Sequence, residues 1–192
     1  YNPTRYKPLM SESHYSIDYP PDTSNTYIHS KYTISRLHQN SPYTNIYNLR
    51  LFGVFGPHED YNRRLISNNL YNFHKNGFLS YSSNISFDYI FVDDVLDAIM
   101  ILASSSSPMY RTYNVCTGNP RKFDFIVSQI AEIVSCDPSL IKCENPGPNT
   151  FEYSGNPSLF ESEFNYKIEK TTFNSALIEV DNWLKRDVLN SD

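Results

Sequence analysis

Glycine is scarce in this chain, with six residues in 192 and none of them clustered. A turn rich in glycine at a helix N-terminus is the usual cradle for a pyrophosphate, and no segment here has that composition. Cysteine is also sparse. Cys116, Cys136 and Cys143 are odd in number and lack Cys-x-x-Cys spacing, so they read as free thiols of a reducing cytoplasm rather than a disulfide frame. The histidines (His14, His29, His38, His58 and His74) fall at no spacing with carboxylates that suits a metal. No basic stripe is present and the net charge is −5, which speaks against a nucleic-acid partner. There is no run of 18 apolar residues and no charged leader ahead of an apolar segment, so neither a membrane span nor a signal peptide is expected.

What the chain does have is apolar and aromatic bulk. It is 40% hydrophobic and 15% aromatic, enough to bury a sizeable core in one domain or slightly more. It opens on Tyr1 rather than Met, which is read as the sign of a fragment. Prolines and polar residues give residues 1–26 the composition of a loop, and a helix is expected from Tyr27, with Ile34 and Leu37 on one face and Asn40 near its end. The run "NIYNLRLFGVFG" suits a strand buried on both faces of a parallel sheet. A helix over "RRLISNNLYNFHKNG" is expected to close at Gly77. "FDYIFV" and "YRTYNV" read as strands, "VLDAIMILASS" and "FDFIVSQIAEIVS" as helices, with Asp93 and Asp94 as N-caps of the first. The stretch from Cys136 to Ser158 reads as a linker or irregular loop, and "TTFNSALIEVDNWLKR" as a final helix capped by threonine. Strands alternating with helices point to an α/β fold.

Tyr-x-x-x-Lys occurs three times, at Tyr27–Lys31, Tyr71–Lys75 and Tyr166–Lys170. With sixteen tyrosines a chance match is expected, so context decides. Residues i and i+4 share a face only on a helix. Tyr166 and Lys170 precede the capping threonines with no helical apolar stripe and are expected to diverge. Tyr71 and Lys75 lie off the apolar line Ile66, Leu70, Phe73 and are expected on a solvated face. Tyr27 and Lys31 begin a helix that leads into a buried strand, the setting in which α/β proteins bind ligands. A tyrosine ionises near pH 10, and bringing it to about 7 needs about 4 kcal/mol of preference for the phenolate. An ammonium about 4 Å away supplies that order of energy. The pair then suits proton exchange with a substrate hydroxyl or carbonyl during hydride transfer.

"YIHSK", "NLRLFGVFGP", "FDYIFVDDVLDAIM" and "YNVCTG", in that order, resemble the extended short-chain dehydrogenase/reductase family and its nucleotide-sugar epimerase, dehydratase and reductase branch. The resemblance implies the C-terminal part of a Rossmann-type doubly wound parallel sheet plus a small α/β substrate-binding domain. Its segments are 1–56 and 87–120 for the dinucleotide-binding domain, and 57–86 and 121–192 for the substrate side. It implies that Tyr27 is catalytic, that Lys31 also holds the ribose, and that NAD or NADP is the cofactor. The loop from Phe52 to Pro57 would lie against nicotinamide and substrate, with Leu51, Phe52 and Val54 as cofactor contacts. Leu51 and Phe52 equally suit a plain buried strand. The implied substrate is a nucleotide-diphosphate sugar, and homodimers built on the tyrosine helix are implied as well.

Three departures from the family pattern stand out. Gly53 occupies the position of a substrate-contacting Asn, and Phe87 that of an Arg that grips the diphosphate. Arg63 or Arg64 could take over the phosphate, although both also suit a solvated surface. The third departure is the absence of the family's glycine-rich loop, with the family's Ser or Thr expected upstream of Tyr1. The leading expectation is therefore the C-terminal part of an NAD(P)-dependent nucleotide-sugar epimerase. A 4-keto reductase or 4,6-dehydratase, and a non-catalytic binding protein on a dehydrogenase-like fold, are the alternatives.

Overall fold

The computed structural model describes residues 8–14, 25–147 and 151–190. Tyr1 and most of the proline-rich opening segment lie outside these. The chain begins its regular structure with α1 (Thr26–Asn40), started by Asn25, whose side-chain oxygen accepts from the Ile28 amide at 3.1 Å. It continues through β1 (Asn48–Leu51), β2 (Gly53–Phe55), α2 (Leu65–Asn76), β3 (Leu79–Ser83), β4 (Ser86–Phe87) and β5 (Tyr89–Phe91). There follow α3 (Val92–Ser104), β6 (Thr112–Val115), β7 (Arg121–Lys122), α4 (Phe123–Val134), β8 (Ile141–Asn145), β9 (Glu152–Tyr153), α5 (Ser158–Phe164) and α6 (Phe173–Trp183). Gly77 ends α2 at φ 74°, a left-handed position where glycine costs nothing.

Strand pairing is mostly parallel. β1 pairs with β6, β2 with β5 and β3 with β8, while β4 pairs in parallel with β9 and antiparallel with β7. Parallel neighbours joined through helices make this the expected α/β fold.

Several local expectations give way to a different arrangement. The apolar run from Ile46 to Gly56 is two strands, not one, because the chain changes partners at Phe52. β1 is only half-buried, so the run is not covered on both faces. The stretch after Cys136 is more ordered than its proline content suggests: Asp137 caps a short 3-10 turn, and β8 and β9 follow. α3 begins one residue before Asp93. Both aspartates lie in its first turn, where they complement the helix dipole, and Asp94 accepts from the Thr171 amide and hydroxyl instead of capping. α6 is capped as expected by Thr172.

Two cores result. Phe55, Ile66 and Leu70 meet Ile126, Val127, Ile130, Leu177 and Trp183 where α2, α4 and α6 pack together. Ile90, Val95, Tyr113, Val115, Phe160 and Ile168 form the second, around β5, β6, α3 and α5. α1 joins neither. Ile34 and Leu37 are 56% and 67% exposed, so the predicted apolar face is bare among the described residues, and only His38 is buried. What anchors the helix is its C-terminal end, where Arg111 donates to the carbonyls of His38 and Ser41 and the His38 ring bonds Ile46 O at 3.0 Å.

Candidate active site

Tyr27 and Lys31 lie one turn apart on the first half of α1, and the Lys31 ammonium sits 5.4 Å from the centre of the Tyr27 ring. Helical spacing brings the pair together as read from the sequence. The tyrosine is 64% exposed. Neither of the other two pairs is arranged as its sequence context predicts. Tyr71 is not solvated: its ring packs on Tyr61 at 4.7 Å, at the margin of the α2–α4–α6 core, while Lys75 is exposed. Tyr166 and Lys170 do not diverge, since the turn after α5 brings the Lys170 ammonium 4.2 Å from the Tyr166 ring centre. Both then reach Asp97 on α3, at 3.0 and 3.7 Å, making a surface clamp between segments.

Leu51, Phe52, Gly53 and Val54 occupy the switch between β1 and β2. Leu51 is exposed, whereas Phe52, Gly53 and Val54 are half-buried. Gly53 donates its amide to Asp88 O at 2.8 Å, and a Cβ at this position would lie 2.8 Å from that same oxygen and 3.0 Å from the Tyr89 ring. The close approach of the two backbones explains why the Asn of the family pattern has no room here. Arg63 is exposed and 3.7 Å from Asp60, and Arg64 occupies the N-cap of α2, also exposed. Phe87, by contrast, is half-buried among aromatic rings.

Two carboxyl groups at this end of the molecule are more deeply embedded than the sequence suggested. Asp88, between β4 and β5, is fully buried. One of its oxygens accepts from the Thr117 amide at 2.9 Å and hydroxyl at 2.6 Å, the other from the amides of Gly118 at 2.9 Å and Gly155 at 3.4 Å. Burial pushes its pKa up and these donors pull it back, with a net rise. It fastens the loop after β6 and the loop after β9 to the end of β4. Glu59, in the loop after β2, is pushed up to about 7 by burial, against the pull of the Ser67 hydroxyl and nearby Arg64. Its hydroxyl donor, Ser67, is itself fully buried in α2. The signal that could have found both is shared: an acidic residue inside an otherwise apolar or turn-forming stretch.

A separate open cavity of about 410 Å³ lies beside the start of β6, lined by residues including Glu12, His38, Tyr110 and Arg111. Ligands of open α/β sheets bind at the opposite, C-terminal ends of the strands. The three cysteines are free, and burial raises the thiol of Cys116 far above its ordinary value, which keeps it unreactive.

Comparison with known proteins gives the same picture from outside. No curated protein sequence matches the chain. Among solved structures, MoeE5 in complex with UDP-glucuronic acid and NAD superposes with a TM-score of 0.73 at 19% identity, over 94% of this chain and 60% of its own. The dTDP-glucose 4,6-dehydratase of Bacillus anthracis in complex with NAD gives 0.72 at 20% identity, over 88% and 54%. The UDP-glucose 4-epimerase of Thermotoga maritima with UDP-glucose gives 0.65 at 16% identity, over 83% and 51%. The chain thus spans little more than half the length of the structures it matches, and at these identities the likeness establishes a Rossmann-type fold. A sequence model of the NAD dependent epimerase/dehydratase family matches residues 4–116, more than half of the chain, and the chain belongs to that family.

Proposed function

We propose that the chain carries the proton-transfer pair and much of the substrate side of an NAD(P)-dependent enzyme that remodels nucleotide-diphosphate sugars, with epimerisation as the leading activity. The observation that carries this reading is the Tyr27–Lys31 pair one turn apart on a helix within the family-matched segment, with the ammonium 5.4 Å from the centre of the tyrosine ring. Tyr27 is the group that takes a proton from, and returns it to, a sugar hydroxyl. Lys31, one turn away on the same helix, holds the ribose. Leu51, Phe52 and Val54, at the strand end, border the nicotinamide. When bound, NAD or NADP supplies the hydride acceptor, so that a sugar carbon is oxidised transiently and reduced from its other face.

The residues fit one part of such a cofactor and not another. A cation and a phenol one turn apart suit the nicotinamide ribose. The pyrophosphate asks for a glycine-rich turn, and Gly53, Gly56, Gly77, Gly118, Gly147 and Gly155 are scattered. Arg63 and Arg64 are the exposed cations at the start of α2 that could meet the substrate diphosphate. A 4-keto reductase or 4,6-dehydratase is the second reading; Gly53 and Phe87, where the family pattern has Asn and Arg, leave room for a reductase. Incubation with a panel of nucleotide sugars, followed by product NMR and by NADPH absorbance, separates the two. An epimerase exchanges stereoisomers with no net NADPH consumption, whereas a reductase consumes it stoichiometrically. In either case, with NAD(P) at saturating concentration, Tyr27→Phe is expected to lower kcat by about 100-fold or more, and unchanged turnover refutes the role of Tyr27.

A further inference from the structure

The loop from Gly56 to Arg64 is fastened from its inner side. Glu59 turns its carboxyl toward α2, where the hydroxyl of the fully buried Ser67 donates to it. Asn68, the next residue of α2, donates its side-chain amide to Tyr61 O at 3.0 Å. The residues between and beyond these anchors face outward: Asp60, Asn62, Arg63 and Arg64 are exposed. His58, just ahead of Glu59, has φ 69°. A non-glycine residue keeps that left-handed conformation only where its surroundings hold it.

What the loop covers is Trp183, the one tryptophan of the chain. The His58 ring lies 5.3 Å and the Tyr61 ring 6.4 Å from the indole, which is left 5% exposed. Lifting the loop off α2 and α6 therefore bares Trp183.

The groups that face Glu59 do little for a charge in this place. Tyr89 of β5 is a phenol whose pKa burial pushes up, so it stays neutral. Arg64, at the start of α2, favours the carboxylate and Asp60 opposes it, and burial outweighs both. Asp60 is itself turned to Arg63 at 3.7 Å and to the Asn62 amide at 3.1 Å. His58 acts on Asp187, on the Trp183 side of the loop. The closed loop thus suits a protonated Glu59, and an ionised Glu59 is better served by water.

We propose that the loop 56–64 is a proton-controlled lid over Trp183, closed while Glu59 carries a proton and released when it ionises. The sign follows from the two environments. Glu59 ionises near its ordinary 4.5 when solvated and at about 7 when enclosed. Closure is therefore strongest in acid, weakens as pH rises from 4.5 to about 7, and levels off above that. The closing constant falls by about 100-fold or more across the interval. Arg63 and Arg64 ride on this lid, so its release also moves the cations offered to a substrate diphosphate. That last consequence rests on the proposed function, whereas the lid itself does not.

The test is acrylamide quenching of Trp183 fluorescence in the full 192-residue chain from about pH 4.5 to about pH 8.5. Far-UV circular dichroism shows that the fold persists over the range. Quenching is expected to rise toward pH 7 and then level off, and Glu59→Gln is expected to abolish the rise. His58→Asn removes a ring that could itself titrate beside the indole, and the rise should survive it. Ser67→Ala takes away the inner hydrogen bond and should open the lid at lower pH. A folded wild type whose quenching ignores pH overturns the lid, as does a rise that persists in Glu59→Gln or vanishes in His58→Asn. Should Glu59→Gln fail to fold, an unchanged pH course in Ser67→Ala overturns it instead. The readout contains no turnover, so its failure leaves the Tyr27→Phe test untouched, and an active Tyr27→Phe protein leaves the lid standing.

Discussion

Gly53 shows how a single missing side chain can be forced by packing. Its amide and the Asp88 carbonyl are in hydrogen-bond contact, so any Cβ meets backbone rather than a movable side chain. Gly53→Ala is expected to cost about 1–3 kcal/mol, read as a lower midpoint in chemical denaturation. Restoring the family's Asn should cost at least as much and gain no contact. Glu59 makes a different kind of residue-scale prediction, in pH. Its folded pKa of about 7 lies above that of an unfolded glutamate, so its contribution is fully present in acid and is lost as pH rises. Stability should therefore fall as pH rises from 4.5 to about 7, and Glu59→Gln should flatten that slope. A wild-type profile equally flat across this window would mean that the carboxyl is already ionised in the folded protein.

At the scale of elements, the two helices α1 and α2 look alike in sequence and differ in what covers them. Both carry apolar residues at helical spacing. Leu70 of α2 is fully buried in a core, whereas Leu37 of α1 is 67% exposed. Leu70→Ala is expected to cost about 2–5 kcal/mol, and Leu37→Ser no more than about 0.5 kcal/mol, compared by thermal unfolding. The contrast also marks where sequence reading reaches its limit. Periodicity located α1, α2, α3, α4 and α6, because a 3.6-residue repeat survives in the sequence whatever the surroundings. It could not say that α1 would lack a cover among the described residues, since the partner surface is not part of the helix's own pattern. The break at Phe52 was hidden for a related reason. An apolar run records burial but not which strand lies alongside, and here β1 and β2 choose different partners with one residue between them.

The candidate site was legible to the same degree. The Tyr27–Lys31 pair followed from spacing and from its place in a series of motifs, and the ring and ammonium do face each other. Asp88 was missed because its role depends on Thr117, Gly118 and Gly155, which are 29, 30 and 67 residues away. Lys170 beside Tyr166 was missed because a turn, not a helix, makes that contact.

For the whole molecule, the scattered glycines are the governing fact. Titration of NAD into the 192-residue chain is expected to give a dissociation constant weaker than about 1 mM, because its sequence offers the pyrophosphate no glycine-rich turn. Micromolar binding would show that a segment of another kind performs that task. Asp88 bears on the whole molecule too. Four donors from two distant loops converge on one carboxylate, so neither loop can open without stripping donors from the buried charge that also holds the other. The amides of Thr117, Gly118 and Gly155 should accordingly exchange with deuterium as one cooperative unit, in step with one another rather than at the separate rates of independent surface turns.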